Sequence, residues 1–367
     1  MISWRRGTVI SVGRSWPGAI EVVADVDGSA LQALAYPLMV GTPQVGDVVL
    51  LNTTALDLGL GTGGYAMVIA LPDRLPADTV DPGLLMKARY TPQQVSVSGI
   101  DAQESTHHEL LADADSLDGM PVVIADLHSA LPAVLAGLLL DRPATRAVYL
   151  MSDGGALPLW FSRTVAGLRE AGWLAATVTV GQAFGGDVEA VTLHTGLLAA
   201  HRVFDAEVVV IAQGPGNLGT GTRWGFSGVA AGEAVNAVAV LGGRPIASLR
   251  MSDADPRTRH QGISHHSRTA YGRVALTAAD VVVPALAGPL AAAVEADLQT
   301  ILAAPAGHRA VQVSAEGLLE ALTACPVELA TMGRSLADDP AYFVAAAAAG
   351  RHAASLLPVE PVRPAAG

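Results

Sequence analysis

Ala206-Glu-Val-Val-Val-Ile-Ala212 runs directly into Gln213-Gly-Pro-Gly-Asn-Leu-Gly-Thr-Gly-Thr222. A short β-branched run that ends in a glycine-rich turn reads as a buried strand delivering its loop to a ligand. Four glycines in that loop leave successive backbone N–H groups free to converge on an anion. Other apolar runs share the rhythm: Pro121-Val-Val-Ile-Ala125, Arg146-Ala-Val-Tyr-Leu-Met151, Ala175-Ala-Thr-Val-Thr-Val180 and Pro245-Ile-Ala-Ser-Leu249. Asp280-Val-Val-Val-Pro284 and Arg309-Ala-Val-Gln-Val313 continue the series. Segments of helical length and composition lie between them, such as 161–172 and 228–241. This alternation predicts an α/β fold, with a predominantly parallel sheet and helices on both of its faces.

Upstream the pattern changes. Residues 8–12, 19–26, 32–36, 47–51 and 65–70 are short apolar runs separated by Gly and Pro, which predicts a small N-terminal β-barrel. The expected organisation is a barrel over 1–75, a connector over 76–119 and an α/β domain over 120–367. Residues 72–92 carry four prolines and read as a linker or crossing segment. Residues 340–357 form an Ala-rich helix that packs on its own sheet or on a second subunit, which leaves a homo-oligomer open.

Composition removes several classes of function. Charged residues are 15% of the chain against the usual quarter, and 51% are hydrophobic, so the chain folds into a compact core. A formal charge of −12 argues against broad nucleic-acid or anionic-membrane binding, while leaving room for a local basic pocket. Cys325 is the only cysteine, which excludes an internal disulfide and a multi-cysteine zinc site. Lys87 is the only lysine and closes no Gly-rich loop, so a Walker-type phosphate site is absent. No Gly-x-Ser-x-Gly nucleophile elbow occurs. The N-terminal residues show no apolar signal region, and the run 121–140 is interrupted by Asp126, His128 and Pro132. A cytoplasmic location is the expectation.

In open parallel sheets ligands bind beyond the carboxyl ends of the strands, so the residues after each predicted strand are the site candidates. Asp126 and His128 follow the first strand, Ser152-Asp-Gly-Gly155 the second and Gly181-Gln-Ala-Phe-Gly-Gly-Asp187 the third. The glycine loop follows the fourth, and Arg250-Met-Ser-Asp-Ala-Asp255 follows the fifth, leading on to Ser264-His-His266. Gly214, Gly216, Gly219, Thr220 and Gly221 are candidates for an anion cradle, with Arg257 and Arg259, and also Arg268, as its clamp. Gly214, Gly216 and Gly219 formally match a dinucleotide fingerprint, but no helix opens at the third glycine and Arg250, not an acid, follows the next strand.

Asp153 and Asp187, each beside a Gly-Gly pair, are candidates for a base, a hydrogen-bond acceptor, a metal ligand or a helix cap. His265 and His266 are candidates for proton transfer, and adjacent histidines are expected to diverge, so that one of them reaches a shared ligand. Should a metal bind, Asp126, His128, Asp255 and His260 are its candidate ligands, and His260, His265 and His266 together with Asp253 and Asp255 are a second set. No motif specifies a cofactor. These residues predict an enzyme binding a small phosphate- or carboxylate-bearing metabolite. The alternative is a ligand sensor or a protein-interaction scaffold that uses the barrel.

Taken in order, Leu51-Asn-Thr-Thr-Ala-Leu-Asp-Leu-Gly-Leu-Gly-Thr-Gly-Gly-Tyr65, Met151-Ser-Asp-Gly-Gly-Ala-Leu-Pro158 and Ala183-Phe-Gly-Gly-Asp-Val-Glu-Ala190 resemble a known family. Residues 214–228 and Gly262-Ile-Ser-His-His266 belong to the same series. The chain resembles the bacterial domain-of-unknown-function family numbered 3866 over about residues 5–350. The resemblance implies a cytosolic bacterial protein and carries no activity to transfer.

Overall fold

The computed structural model describes residues 2–78 and 83–358. Part of the expected linker, 79–82, and the tail 359–367 lie outside the described residues.

The N-terminal part alternates buried and outward-facing residues. Strands β1 (Trp4–Trp16), β2 (Ala19–Val26), β3 (Ser29–Ala35), β4 (Val48–Asn52) and β5 (Ala66–Ala70) close into a five-stranded barrel of order β1-β2-β3-β5-β4. Val9, Val22, Ala24, Ala33, Val49, Leu51 and Val68 fill its interior, as period-two strands with one buried face require. One-turn helices α1 (Pro37–Val40) and α2 (Thr54–Asp57) sit between barrel strands. The barrel rests on the second part of the chain, where the Trp16 indole Nε1 donates to the Trp160 carbonyl at 2.7 Å.

The connector forms a short hairpin, β6 (Leu85–Lys87) with β7 (Val95–Val97), followed by the one-turn helix α3 (His108–Leu111). Its structural role centres on Lys87. The ammonium is buried and donates to the carbonyls of Gly181 (2.8 Å) and Ala183 (2.9 Å), and it lies 3.4 Å from Glu189 Oε2. Glu189 also accepts from Thr179 Oγ1 (2.5 Å) and from the Gly185 amide (2.6 Å). Burial lowers the lysine pKa and raises that of the glutamate, each against the pull of the other.

The remainder alternates strands and helices: β8 (Pro121–Ile124), α4 (Leu131–Asp141), β9 (Ala147–Ser152), α5 (Arg163–Glu170), β10 (Ala176–Val180), β11 (Val188–Ala190), α6 (Leu193–Arg202) and β12 (Val208–Gln213). Then come α7 (Ala230–Val240), β13 (Arg244–Ser248), the ribbon β14 (Met251–Ser252) with β15 (Gly262–Ile263), and α8 (His265–Thr269). The series closes with β16 (Asp280–Pro284), α9 (Pro289–Leu302), β17 (Arg309–Val313), α10 (Leu318–Thr323) and α11 (Pro340–Ser355).

Eight of these strands form one sheet, parallel throughout, of order β11-β10-β9-β12-β8-β13-β16-β17. Its central strands are continuous apolar runs because helices cover both faces. Val209 and Ile211 of β12 pack on one face with α6, α7 and α9, while Val208, Val210 and Ala212 pack on the other with α4, α5, α10 and α11. The fold is therefore the expected α/β arrangement behind a small barrel. The Ala-rich helix α11 packs on α4 of its own sheet. A Cβ on Gly137 or Gly350 would come within 3.0 Å of the carbonyl oxygen of Ala347 or Val134, so glycine permits this backbone approach. Among the described residues no helix is long and apolar enough to cross a membrane.

Candidate functional site

Strands β8 and β12 are neighbours, yet the helices that follow them, α4 and α7, cover opposite faces of the sheet. Such a reversal opens a crevice at the carboxyl ends, where open α/β sheets bind ligands. A buried tyrosine braces it from each face. Tyr271 Oη lies 2.8 Å from the Ile124 carbonyl and 3.2 Å from that of Ser248, while Tyr149 Oη lies 3.1 Å from the Gln213 carbonyl.

Asp126 sits at this crevice. Its carbonyl accepts from Gln213 Nε2 at 2.8 Å, but its carboxylate Oδ2 is buried with no hydrogen-bond partner. Burial pushes its pKa up to about 6, with the nearby Arg250 guanidinium acting in the opposite direction. The same Oδ2 lies 3.8 Å from His266 Nδ1. Asp126, Ser152, Asp153 and Gln213 line a cavity of about 200 Å³.

Beyond β13 the chain leaves the sheet through Arg250, and the β14–β15 ribbon carries the loop that holds His260. Ser264 then caps α8, its Oγ accepting from the His266 amide at 3.2 Å and lying 2.7 Å from His260 Nδ1. This brings three imidazoles together. The ring centroids of His265 and His266 are 4.4 Å apart, and His260 lies 4.9 Å from the first and 5.0 Å from the second. One ligand atom from each lies within 4.8 Å of the others. Phe226, at the end of the glycine loop, stacks flat on His266 at 3.8 Å. His265 Nε2 is buried without a partner.

All three rings are held neutral. Burial followed by the charge of Arg250 lowers His260 to about 3 and His266 to about 2. Burial, Arg259 and Arg268 lower His265.

Asp255 collects three guanidinium groups, from Arg257 at 2.8 Å, Arg334 at 3.2 Å and Arg250 at 3.4 Å. Burial would raise its pKa, but the hydrogen bonds and charge of Arg257 hold it well below the usual carboxylate range. Arg334 also pairs with Asp339 at 3.0 Å. Thus Arg257 is committed to Asp255, whereas Arg259 is exposed beside the histidines.

A second cavity, of about 600 Å³, opens against them and is lined by Gly221, Arg223, Arg259, His265, Arg268 and Arg273, among others. Arg268 is paired with Asp297 at 2.6 Å. Among the described residues the other three arginines have no acidic partner within 4.0 Å. Helix α8 continues into a π-helical turn, Ala270–Val274, which shifts the register so that Arg268, Thr269, Gly272 and Arg273 all line this cavity.

The sequence candidates therefore divide by position. His265, Arg259 and Gly221 line the basic cavity, with the buried His260 and His266 packed against His265 and Asp126 behind His266. Of the glycine loop, only Gly221 lines it. Gly214 instead packs against the 153–156 turn, where a Cβ would come within 3.0 Å of the Ala156 carbonyl, and Gly216 has a φ of 92°. Thr220 donates its amide to the Gly225 carbonyl at 2.7 Å, and Gly219 bridges to Phe226, so this part of the loop closes on itself.

Asp153 accepts from the Gln182 amide at 2.9 Å and faces the smaller cavity. Asp187 lies away from the rim. The 181–187 turn runs back beside β10, and Asp187 Oδ2 accepts from the Thr177 amide (2.7 Å) and hydroxyl (3.0 Å) near the amino end of that strand. His128 is buried between Tyr149 Oη (2.9 Å) and Ser162 Oγ (2.8 Å). The metal candidates Asp126, His128, Asp255 and His260 thus do not share one centre. Arg223, Arg273 and Phe226 were not singled out from the sequence. Arg223 lies just past the glycine loop, a signal that was available, while the π-turn that presents Arg273 leaves no sequence mark.

This arrangement defines a class: a barrel-fronted, doubly wound α/β protein with a basic, histidine-lined rim at its switch point. Within that class the chain belongs to the family described as "Protein of unknown function (DUF3866)", whose family model matches residues 32–350. Neither a curated protein nor a solved structure matches the chain.

Proposed function

We propose that the protein is a cytosolic enzyme acting on a small anionic metabolite, phosphate- or carboxylate-bearing, at the carboxyl edge of its parallel sheet. One observation carries this reading. In a chain of net charge −12, four of the 22 basic residues line a single cavity of about 600 Å³, and three of them have no acidic partner among the described residues. Unpaired guanidinium groups repel one another, and an anionic ligand relieves that repulsion. Arg223, Arg259 and Arg273 hold the anion, and His265 lines the same cavity beside it. The single cysteine fits a reducing compartment.

Calorimetric titration with pyrophosphate is the test. Binding should weaken with salt and fall by about 30-fold or more, roughly 2 kcal/mol, in the variant Arg259→Ala/Arg273→Ala. Binding that this variant does not alter overturns the reading.

A second reading, an interaction scaffold, is favoured by the exposed Trp4, Ile10 and Val12 along β1. It predicts that replacing these three with Ser changes association while leaving anion binding intact.

A further inference from the structure

We infer that His260, His265 and His266 form a mononuclear site for a divalent transition metal of the zinc class, with its fourth position open to the basic cavity. The inference goes beyond anion binding and is tested separately from it.

Each imidazole offers one nitrogen, and these lie within 4.8 Å of one another. Tetrahedral zinc with bonds of about 2.0–2.1 Å needs ligand nitrogens about 3.4 Å apart, a gap that small side-chain rotations close. Imidazole suits zinc, copper, iron and nickel, whereas calcium and magnesium take oxygen ligands. Three histidines with one position left open make a reactive site, in contrast to a closed structural one.

Two orphaned polar atoms support the assignment independently. His265 Nε2 is buried and unbonded, which a bound cation would explain. Asp126 Oδ2 is also buried and unbonded, 3.8 Å from His266 Nδ1. Metal-bound histidines commonly donate their second ring N–H to a carboxylate, which fixes the tautomer and the ring orientation. Asp126 is placed for that role. His260 has the equivalent support from Ser264 Oγ at 2.7 Å from its Nδ1. The loose 3.4 Å contact of Arg250 with His266 Nδ1 gives way when that nitrogen turns its proton to Asp126.

Surrounding charge permits a cation. Asp255 and Asp339 take up Arg250, Arg257 and Arg334, Arg268 is paired with Asp297, and Asp126 faces His266, which leaves Arg259 as the uncompensated cation beside the rings. The dication's remaining charge is then met from the open side, where the arginine-lined cavity admits an anion.

The test uses zinc chloride alone, added to chelator-treated full-length protein and followed by calorimetry. One equivalent should bind. Asp126→Asn should weaken binding by about 10–100-fold, and His260→Ala or His265→Ala by at least about 100-fold. The exposed His194, replaced by Ala, serves as the control and should change nothing.

Because a buried histidine variant can fail to fold, cobalt(II) in the wild-type chain gives a second readout. Strong tetrahedral absorption with nitrogen ligation supports the site. A weak octahedral spectrum overturns it, as does the absence of zinc binding or one equivalent retained in folded histidine variants. If zinc binding is absent while the same protein still binds pyrophosphate, this inference falls and the proposed function stands.

Discussion

Replacing Lys87 with Met should destabilise the protein in a manner that depends on pH. The side chain is of similar length and fits the same channel, so the loss is chemical. Two carbonyls, of Gly181 and Ala183, lose their charged donor, and Glu189 stays buried with its countercharge gone. Removing one member of a buried ion pair costs about 3–5 kcal/mol. Here the lower end applies, about 3 kcal/mol, because Thr179 and Gly185 still donate to the carboxylate and because it can take up a proton.

That proton sets the sign. Burial already raises the Glu189 carboxyl, and Lys87 is among the groups that pull it down, so the variant's carboxyl rises further. A carboxyl raised in the folded state contributes least once the pH exceeds its folded value. The penalty should therefore be larger at pH 8 than at pH 5, and adding Glu189→Gln should recover part of it at pH 8. Guanidinium titrations followed by circular dichroism at both pH values measure this. A penalty below about 1 kcal/mol at pH 8, or one equal at both pH values and indifferent to Glu189→Gln, refutes the reasoning.

Two further outcomes follow from the packing. Gly350→Val drives a side chain into the Val134 carbonyl, so α4 and α11 must separate, at a cost of about 3 kcal/mol or more seen as a lowered Tm. Asp280 is paired with Arg309 at 2.5 Å, His352 at 2.8 Å and Arg244 at 3.0 Å; burial opposes ionisation there, but these partners leave its pKa lowered. Its stabilisation is present above the ordinary carboxylate range and lost as pH falls through the folded value, so Asp280→Asn should flatten the acid limb of a stability profile below about pH 4.

The sheet was legible in the sequence because its central strands are buried on both sides. Runs such as Val208–Ala212 have no polar face to confuse with a helix, and Ile211 and Ala212 both reach a core. The barrel was legible for the opposite reason, as Val22 and Ala24 alternate with half-exposed neighbours.

The site was legible only in outline. Its rim follows from strand ends, but Asp187 escapes that rule because its turn doubles back to the start of β10. The adjacent histidines were expected to diverge. At the first turn of α8, however, side chains lean back toward the helix start, and there both rings meet the loop that carries His260. Arg268 and Arg273 share a cavity at a spacing of five, a helical-wheel mismatch that the π-turn produces and the residue pattern does not show.

The order of strands also bears on how the chain is made. The barrel ends by Ala70 and can close early in synthesis, whereas β8, the first strand of the large sheet, ends between two neighbours that come much later. Strand β12 is complete only about 90 residues after β8. At about 5–20 residues per second, an apolar strand waits roughly 4–18 s on the ribosome before either flank is covered. Chaperone dependence should therefore concentrate in nascent chains halted between residues 125 and 207, while shorter ones that end within the connector escape it.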